Sequence, residues 1–180
     1  MVWNYKEIIK KYKSLKKLQF AINNRELFKV MKGIYSDEEF PDELSIVAAK
    51  YKEFVVTMQS GFSYYDLSDY HTEKPTITIL ESSYRKNSDL MKRYYSNKLL
   101  YNLGAEEITY NNRTIKMYNK ERLLIELIRK KNEMSMEEYF HVFRNIRERK
   151  NELDISLLME YASNFKEYDN IQKTIRESFM

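Results

Sequence analysis

The spacing of apolar positions divides the chain into short helical and extended stretches. Tyr5, Ile8, Ile9 and Tyr12 fall on one helical face, with Asn4 placed to cap it and Glu7 placed to complete a capping box. Ser14 is the next cap, opening a helix to about Asn24 with Leu15, Leu18, Ala21 and Ile22 inward. Its outer face carries Lys16, Lys17, Gln19, Asn23 and Asn24, with Phe20 between them. The period changes over Glu26 to Tyr35. There Leu27, Phe28, Val30, Ile34 and Tyr35 favour a two-stranded ribbon or one bent strand, interrupted by Lys29 and Lys32. Gly33 supplies a bend that a side chain opposes.

Ser36 to Asp42 is acidic and holds Pro41, so it reads as a boundary between residues 1–36 and 37–180. A helix starting near Pro41 comes next, with Leu44, Val47, Ala48 and Tyr51 on one face. Phe54 to Met58 is a strand, and Ser60 is placed to cap a short helix through Leu67. Asp66 to Pro75 reads as loop, Thr76 to Ile79 as a second strand and Met91 to Tyr95 as a third. Glu106 to Tyr118 predicts a hairpin turning at Asn111-Asn112, because asparagine tolerates positive φ. A two-residue loop sets Ile108 opposite Ile115, Thr109 opposite Thr114 and Glu107 opposite Lys116, three favourable pairs.

The last third is helical. Caps are expected at Asn119, Ser135 (boxed with Glu138) and Asp154, and Asp169 starts another helix. The inward faces read Leu123, Leu124, Leu127, Ile128; then Phe140, Phe143, Ile146; then Ile155, Leu158, Ala162, Phe165; then Ile171, Ile175, Phe179. The expected fold class is α+β, with an abbreviated N-terminal winged helix-turn-helix followed by a mixed β-sheet domain with a helical C-terminal third.

Charge sharpens this picture at one end. The formal charge of +4 is uneven: residues 1–35 hold nine Lys/Arg against two Glu, a net of +7, and the rest hold 22 against 25, a net of −3. A helix, a second helix and a basic ribbon have the linear order of a winged helix-turn-helix; phosphate backbones are the commonest partner of such a polarised end, and an acidic membrane surface is the rival. Lys10, Lys11, Lys16, Lys17, Lys29 and Lys32 are then candidate phosphate contacts, and Gln19, Asn23 and Asn24 can pair with adenine edges. The same residues also fit an ordinary hairpin and two helices with solvated lysines.

Other chemistry is sparse. With no cysteine, thiol catalysis, disulfides and thiolate metal sites are excluded, and a cytoplasmic location is expected. No run of ~18 apolar residues predicts a membrane span, and the start has no signal-peptide core. The two histidines, His71 in a loop and His141 on a helix, read as solvated and packed rather than catalytic. No metal or cofactor motif is found, and Glu81 lacks the lysine of a nuclease E-x-K because that position is Ser83. Glu121-Arg122 and the set Arg144, Arg147 and Arg149 could bind phosphate, but pairing with Glu138, Glu148 and Glu152 is the favoured reading.

In these segments and their order the chain resembles the AbiEi-type antitoxins of bacterial abortive-infection, or type IV toxin–antitoxin, systems. The matching pieces are Tyr5 to Ile9, Leu27 to Ser36, Met58 to Asp69 and Ile115 to Leu124. The resemblance implies a winged helix-turn-helix that binds operator DNA and represses its own operon. It also implies an α+β domain over residues 37–180 that counteracts a nucleotidyltransferase-like toxin without a stable complex. No enzyme activity, cofactor or membrane partner is expected. The alternatives are a protein-interaction antitoxin whose basic end docks on an acidic partner, and a degenerate nucleic-acid enzyme. The stretch before the ribbon is short for the usual three helices, so it should pack on the domain C-terminal to it.

Overall fold

A computed structural model describes residues 1–70, 72–82 and 89–180; the loop reading of His71 lies outside them. Val2–Asn4 forms β1, Tyr5–Tyr12 α1 and Leu15–Asn23 α2. Asn4 and Glu7 make the reciprocal capping box at α1, and Ser14 accepts from the Lys16 N–H at α2. The ribbon is β2 (Phe28–Met31) and β3 (Ile34–Ser36), turning through Lys32 and Gly33, whose φ is +79°. β3 runs antiparallel to both β2 and β1, in the order β1-β3-β2. The strand β1 is not visible in the sequence, because three residues carry no period and only pairing with Ile34, Tyr35 and Ser36 makes them a strand.

The acidic stretch ends at Asp42, which caps α3 (Glu43–Lys50) by accepting from the Ser45 N–H. α3 packs on β1 and β3, with Ala49 beside Val2 and Ile34. The first compact unit is therefore Met1–Glu53 together with Thr109–Ile115, rather than residues 1–36. Only two helices come before the ribbon, as the sequence reading has it; α3 comes after it. On the other side of the sheet, Ile8, Leu18, Ala21, Leu27 and Tyr35 close a small core.

The second unit comprises residues 54–108 and 116–180. Its elements are β4 (Val55–Val56), α4 (Met58–Tyr64), β5 (Thr76–Leu80), β6 (Lys92–Ser96), α5 (Lys98–Asn102), β7 (Ala105–Tyr110) and β8 (Arg113–Tyr118), the β7–β8 tip counting with the first unit. Then come α6 (Lys120–Arg129), α7 (Met136–Glu148), α8 (Ile155–Ala162) and α9 (Tyr168–Phe179). The sheet order is β6-β5-β4-β8-β7. β4 is parallel to β8 and antiparallel to β5, and β5 is parallel to β6, so the sheet is mixed as expected. The hairpin turns at Asn111 and Asn112 with φ of 45° and 64°, the left-handed pair that a two-residue loop demands.

Several details differ from the sequence reading. The strand expected over Phe54 to Met58 is only Val55–Val56, and Met58 opens α4. Ser60 lies inside α4 and exchanges hydrogen bonds with Thr76, while Thr57 occupies the cap position. α9 begins at Tyr168, so Asp169 sits in its first turn instead of capping it. α5 has no counterpart in the sequence reading; it is a five-residue helix capped by Asn97, too short to show a period. On α7 the buried positions are Tyr139, Val142 and Ile146, while Phe140 is 57 % exposed.

α6 is the centre of the second unit. It packs against α4, α7, α8 and α9, and every residue from Glu121 to Ile128 is buried. A helix enclosed on all sides should be apolar all round. Here Arg122 and Glu126 break that rule and pair, Nη2 to Oε1 at 2.6 Å, with Arg129 Nη1 3.2 Å from the same carboxylate. The Arg122 guanidinium lies 4.5 Å and 4.6 Å from the ring centres of Tyr118 and Phe165, so two aromatic faces cover what the carboxylate does not.

Candidate nucleic-acid interface

The residues singled out near the start all lie in the first unit. Lys10 and Lys11 occupy the last turn of α1, where cations favour the helix dipole. Lys16 and Lys17 open α2, where they oppose it, and both side chains are exposed. Lys29 is exposed on β2, an edge strand, and Lys32 is exposed in the turn beside Gly33. Asn24 is the C-terminal cap residue of α2 and its N–H bonds the Phe20 carbonyl, so its exposed side chain stays free of helix capping.

No ion pair forms at any of the nine Lys and Arg residues before residue 36, among the described residues. Lys11 is the one held most firmly, its Nζ 3.9 Å from the centre of the Trp3 ring. The nearest acid in sequence is engaged elsewhere. Glu7 accepts two hydrogen bonds from Arg113 at the hairpin tip, whose guanidinium also donates to the Val2 carbonyl at 2.8 Å. Burial alone raises the Glu7 carboxyl, but Arg113 and the Asn4 N–H outweigh it and hold it below the ordinary value. This long-range pair carries no signal in the sequence, since an arginine 106 positions away has no period to share with Glu7.

The outer face of α2 is more mixed than expected. Leu15 points out and is 64 % exposed, as is Phe20. Leu15, at the first position of α2, is not part of the Ile8–Leu18–Ala21 core. Gln19 Nε2 donates to Asn23 Oδ1 at 2.9 Å. That bond leaves Gln19 with a free carbonyl oxygen and Asn23 with a free N–H, an acceptor and a donor side by side.

In the second unit, His141 packs at the edge of α7 as its sequence position suggested. Its ring meets Tyr70 edge-on at 5.5 Å, and Nε2 lies 3.1 Å from Asn145 Nδ2. Arg149 pairs with Glu152 as expected, whereas Arg122 pairs with Glu126, a partner outside the expected set. Arg144 and Arg147 do not pair with Glu138 or Glu148. No cluster of three His, Asp or Glu that could hold a metal occurs among the described residues, and none of their helices is long and apolar enough to cross a membrane. No family model and no curated protein matches the chain.

Proposed function

We propose that this chain is a DNA-binding antitoxin that represses its own type IV toxin–antitoxin operon and counteracts a nucleotidyltransferase-like toxin without catalysis of its own. The observation that carries the DNA-binding part is the set of nine cations on and beside two helices and a ribbon, none with a carboxylate partner among the described residues. Free cations on one small unit repel each other, and an anionic partner reverses the sign of that energy. The order α1, α2, β2–β3, with β1 closing the sheet, supports a reduced winged helix-turn-helix, with α3 on the opposite face of the sheet from α1 and α2.

On this reading the lysines meet phosphates and α2 presents its outer face to the major groove. The joined Gln19 and Asn23 amides offer an acceptor and a donor, which complement the N6 amino group and N7 of adenine. The antitoxin part rests on the family resemblance alone.

Duplex DNA from upstream of the chain's own operon tests the reading. With four or five lysine–phosphate contacts, log K should fall with log salt at a slope of about −4. Changing Lys16 and Lys17 to Glu should abolish binding while circular dichroism and thermal midpoint stay unchanged. The same variant, expressed from an unrelated promoter, should still rescue growth from the cognate toxin. Undiminished DNA affinity in that variant would transfer the basic end to an acidic protein partner.

A further inference from the structure

The unpaired arginines of α7 have an environment of their own. Glu137, Phe140, His141, Arg144 and Arg147 succeed one another at helical spacing along one face of α7. Together with Tyr70 and Phe143 they line an open pocket of about 570 Å³, within the size range of small-molecule sites. Four of its walls are aromatic rings, and Phe140 presents more than half of its surface to solvent.

The charges in the pocket are unequal. Removal from water, together with the Glu137 and Glu138 carboxylates, raises the Tyr70 phenol above its ordinary value. Arg144 and Arg147 have no carboxylate partner among the described residues, although Glu148 lies on the same helix. Of the other nearby acids, Glu138 has its Oε1 buried without a hydrogen bond, and Asp69 has its Oδ2 3.8 Å from Nε2 of the lining His141. Two guanidiniums one turn apart on one face repel one another mildly. Planar guanidinium forks are suited to phosphate oxygens, and aromatic side chains to nucleobases.

We propose that this pocket binds a nucleotide, with Arg144 and Arg147 on its phosphate and Phe140 and the adjoining rings against its base. The ligand is either a free mononucleotide or one unit of a single strand, since both offer the same phosphate and base. This site shares no residue with the basic N-terminal unit, and the proposal does not rest on the DNA-binding reading.

The test is calorimetric titration of the full chain, in phosphate-free buffer, with adenosine monophosphate, ribose 5-phosphate and a single-stranded pentanucleotide. Adenosine monophosphate or the pentanucleotide should bind with Kd of about 1 mM or tighter. Ribose 5-phosphate should bind at least about tenfold more weakly, because it lacks the base. Binding of the pentanucleotide alone would identify the strand as the ligand. Arg144→Gln with Arg147→Gln should weaken binding about tenfold or more, and Phe140→Ala about fivefold for the base-bearing probes only. All three side chains are exposed or unpaired, so these variants should fold; in the unaltered protein the His141 ring resonances should also shift on titration. Retardation of duplex operator DNA should be the same in the arginine variant as in the parent. The proposal is overturned if no probe binds, if ribose 5-phosphate matches adenosine monophosphate, or if the arginine variant binds as the parent does.

Discussion

Before residue 36 no lysine or arginine has a carboxylate within ion-pair distance among the described residues, whereas in the second unit Arg122, Arg129 and Arg149 are each bound to one. The difference tracks burial. Lys16, Lys17, Lys29 and Lys32 stand in water, where an unpaired ammonium costs nothing, and all four remain available to an outside anion. Arg122 is 1 % exposed and would lose its hydration for no return without Glu126 and the two flanking rings. A charge count thus says little until each cation is assigned a partner or shown to lack one. Arg144 and Arg147 are the instructive cases, because they share a helix with Glu137, Glu138 and Glu148 and yet make no ion pair among the described residues.

The largest effect should come from breaking the enclosed pair. Arg122→Ala leaves Glu126 buried with only Arg129 beside it, and empties the space between Tyr118 and Phe165. A loss of about 3 kcal/mol or more is expected from urea unfolding, against less than about 0.5 kcal/mol for Lys17→Ala. Equal stability of the two variants would remove the physical basis of the contrast.

Glycines sharpen the same contrast on a smaller scale. Gly104 and Gly33 both have positive φ, +72° and +79°. A methyl group at Gly104 would come 2.6 Å from Arg122 Cβ and 2.9 Å from Asn119 Oδ1, whereas at Gly33 nothing lies within 4 Å. Gly33→Ala should therefore cost only the backbone strain, about 1 kcal/mol, and Gly104→Ala at least twice as much. Similar losses at both positions would mean that the Arg122 surroundings yield readily.

Much of this was legible wherever the chemistry is local. Asn4, Ser14, Asn119, Ser135 and Asp154 cap the helices they were expected to cap, because a cap needs only a side-chain oxygen and an N–H two or three residues away. The Asn111-Asn112 turn is of the same kind. What escaped depends on distant partners. β1 exists through β3, α3 rests on both, and Glu7 is claimed by Arg113. Arg122 reads as a helix-start cation because nothing nearby in sequence shows that α6 is enclosed on every side. Of the candidate interface, the exposed lysines and amides could be named from α2 periodicity, but the exposure of Leu15 could not, since its place at the helix end decides it.

The smallest expected effect concerns Glu7, the acid that neutralises Arg113 rather than the lysines around it. Its carboxyl is held below the ordinary value of 4.5 in the folded chain, so it is more acidic folded than unfolded. A group depressed in this way stabilises fully above about pH 4.5, and that contribution is lost as pH falls through the folded value. Its side chain is 39 % exposed, so solvent screening limits the contribution to about 1 kcal/mol or less. Glu7→Gln is the informative change, because glutamine can still reach back to the Asn4 N–H and complete the capping box. Only the charge opposite Arg113 is then lost. The variant should be slightly less stable than the parent at pH 7, and the gap should close as the pH is lowered toward 3, read from urea midpoints at each pH. A gap that stays constant would assign the effect to capping geometry instead. If the gap closes, the one well-placed acid of α1 is committed to Arg113 by its charge, which leaves Lys10 and Lys11 without an internal counterion.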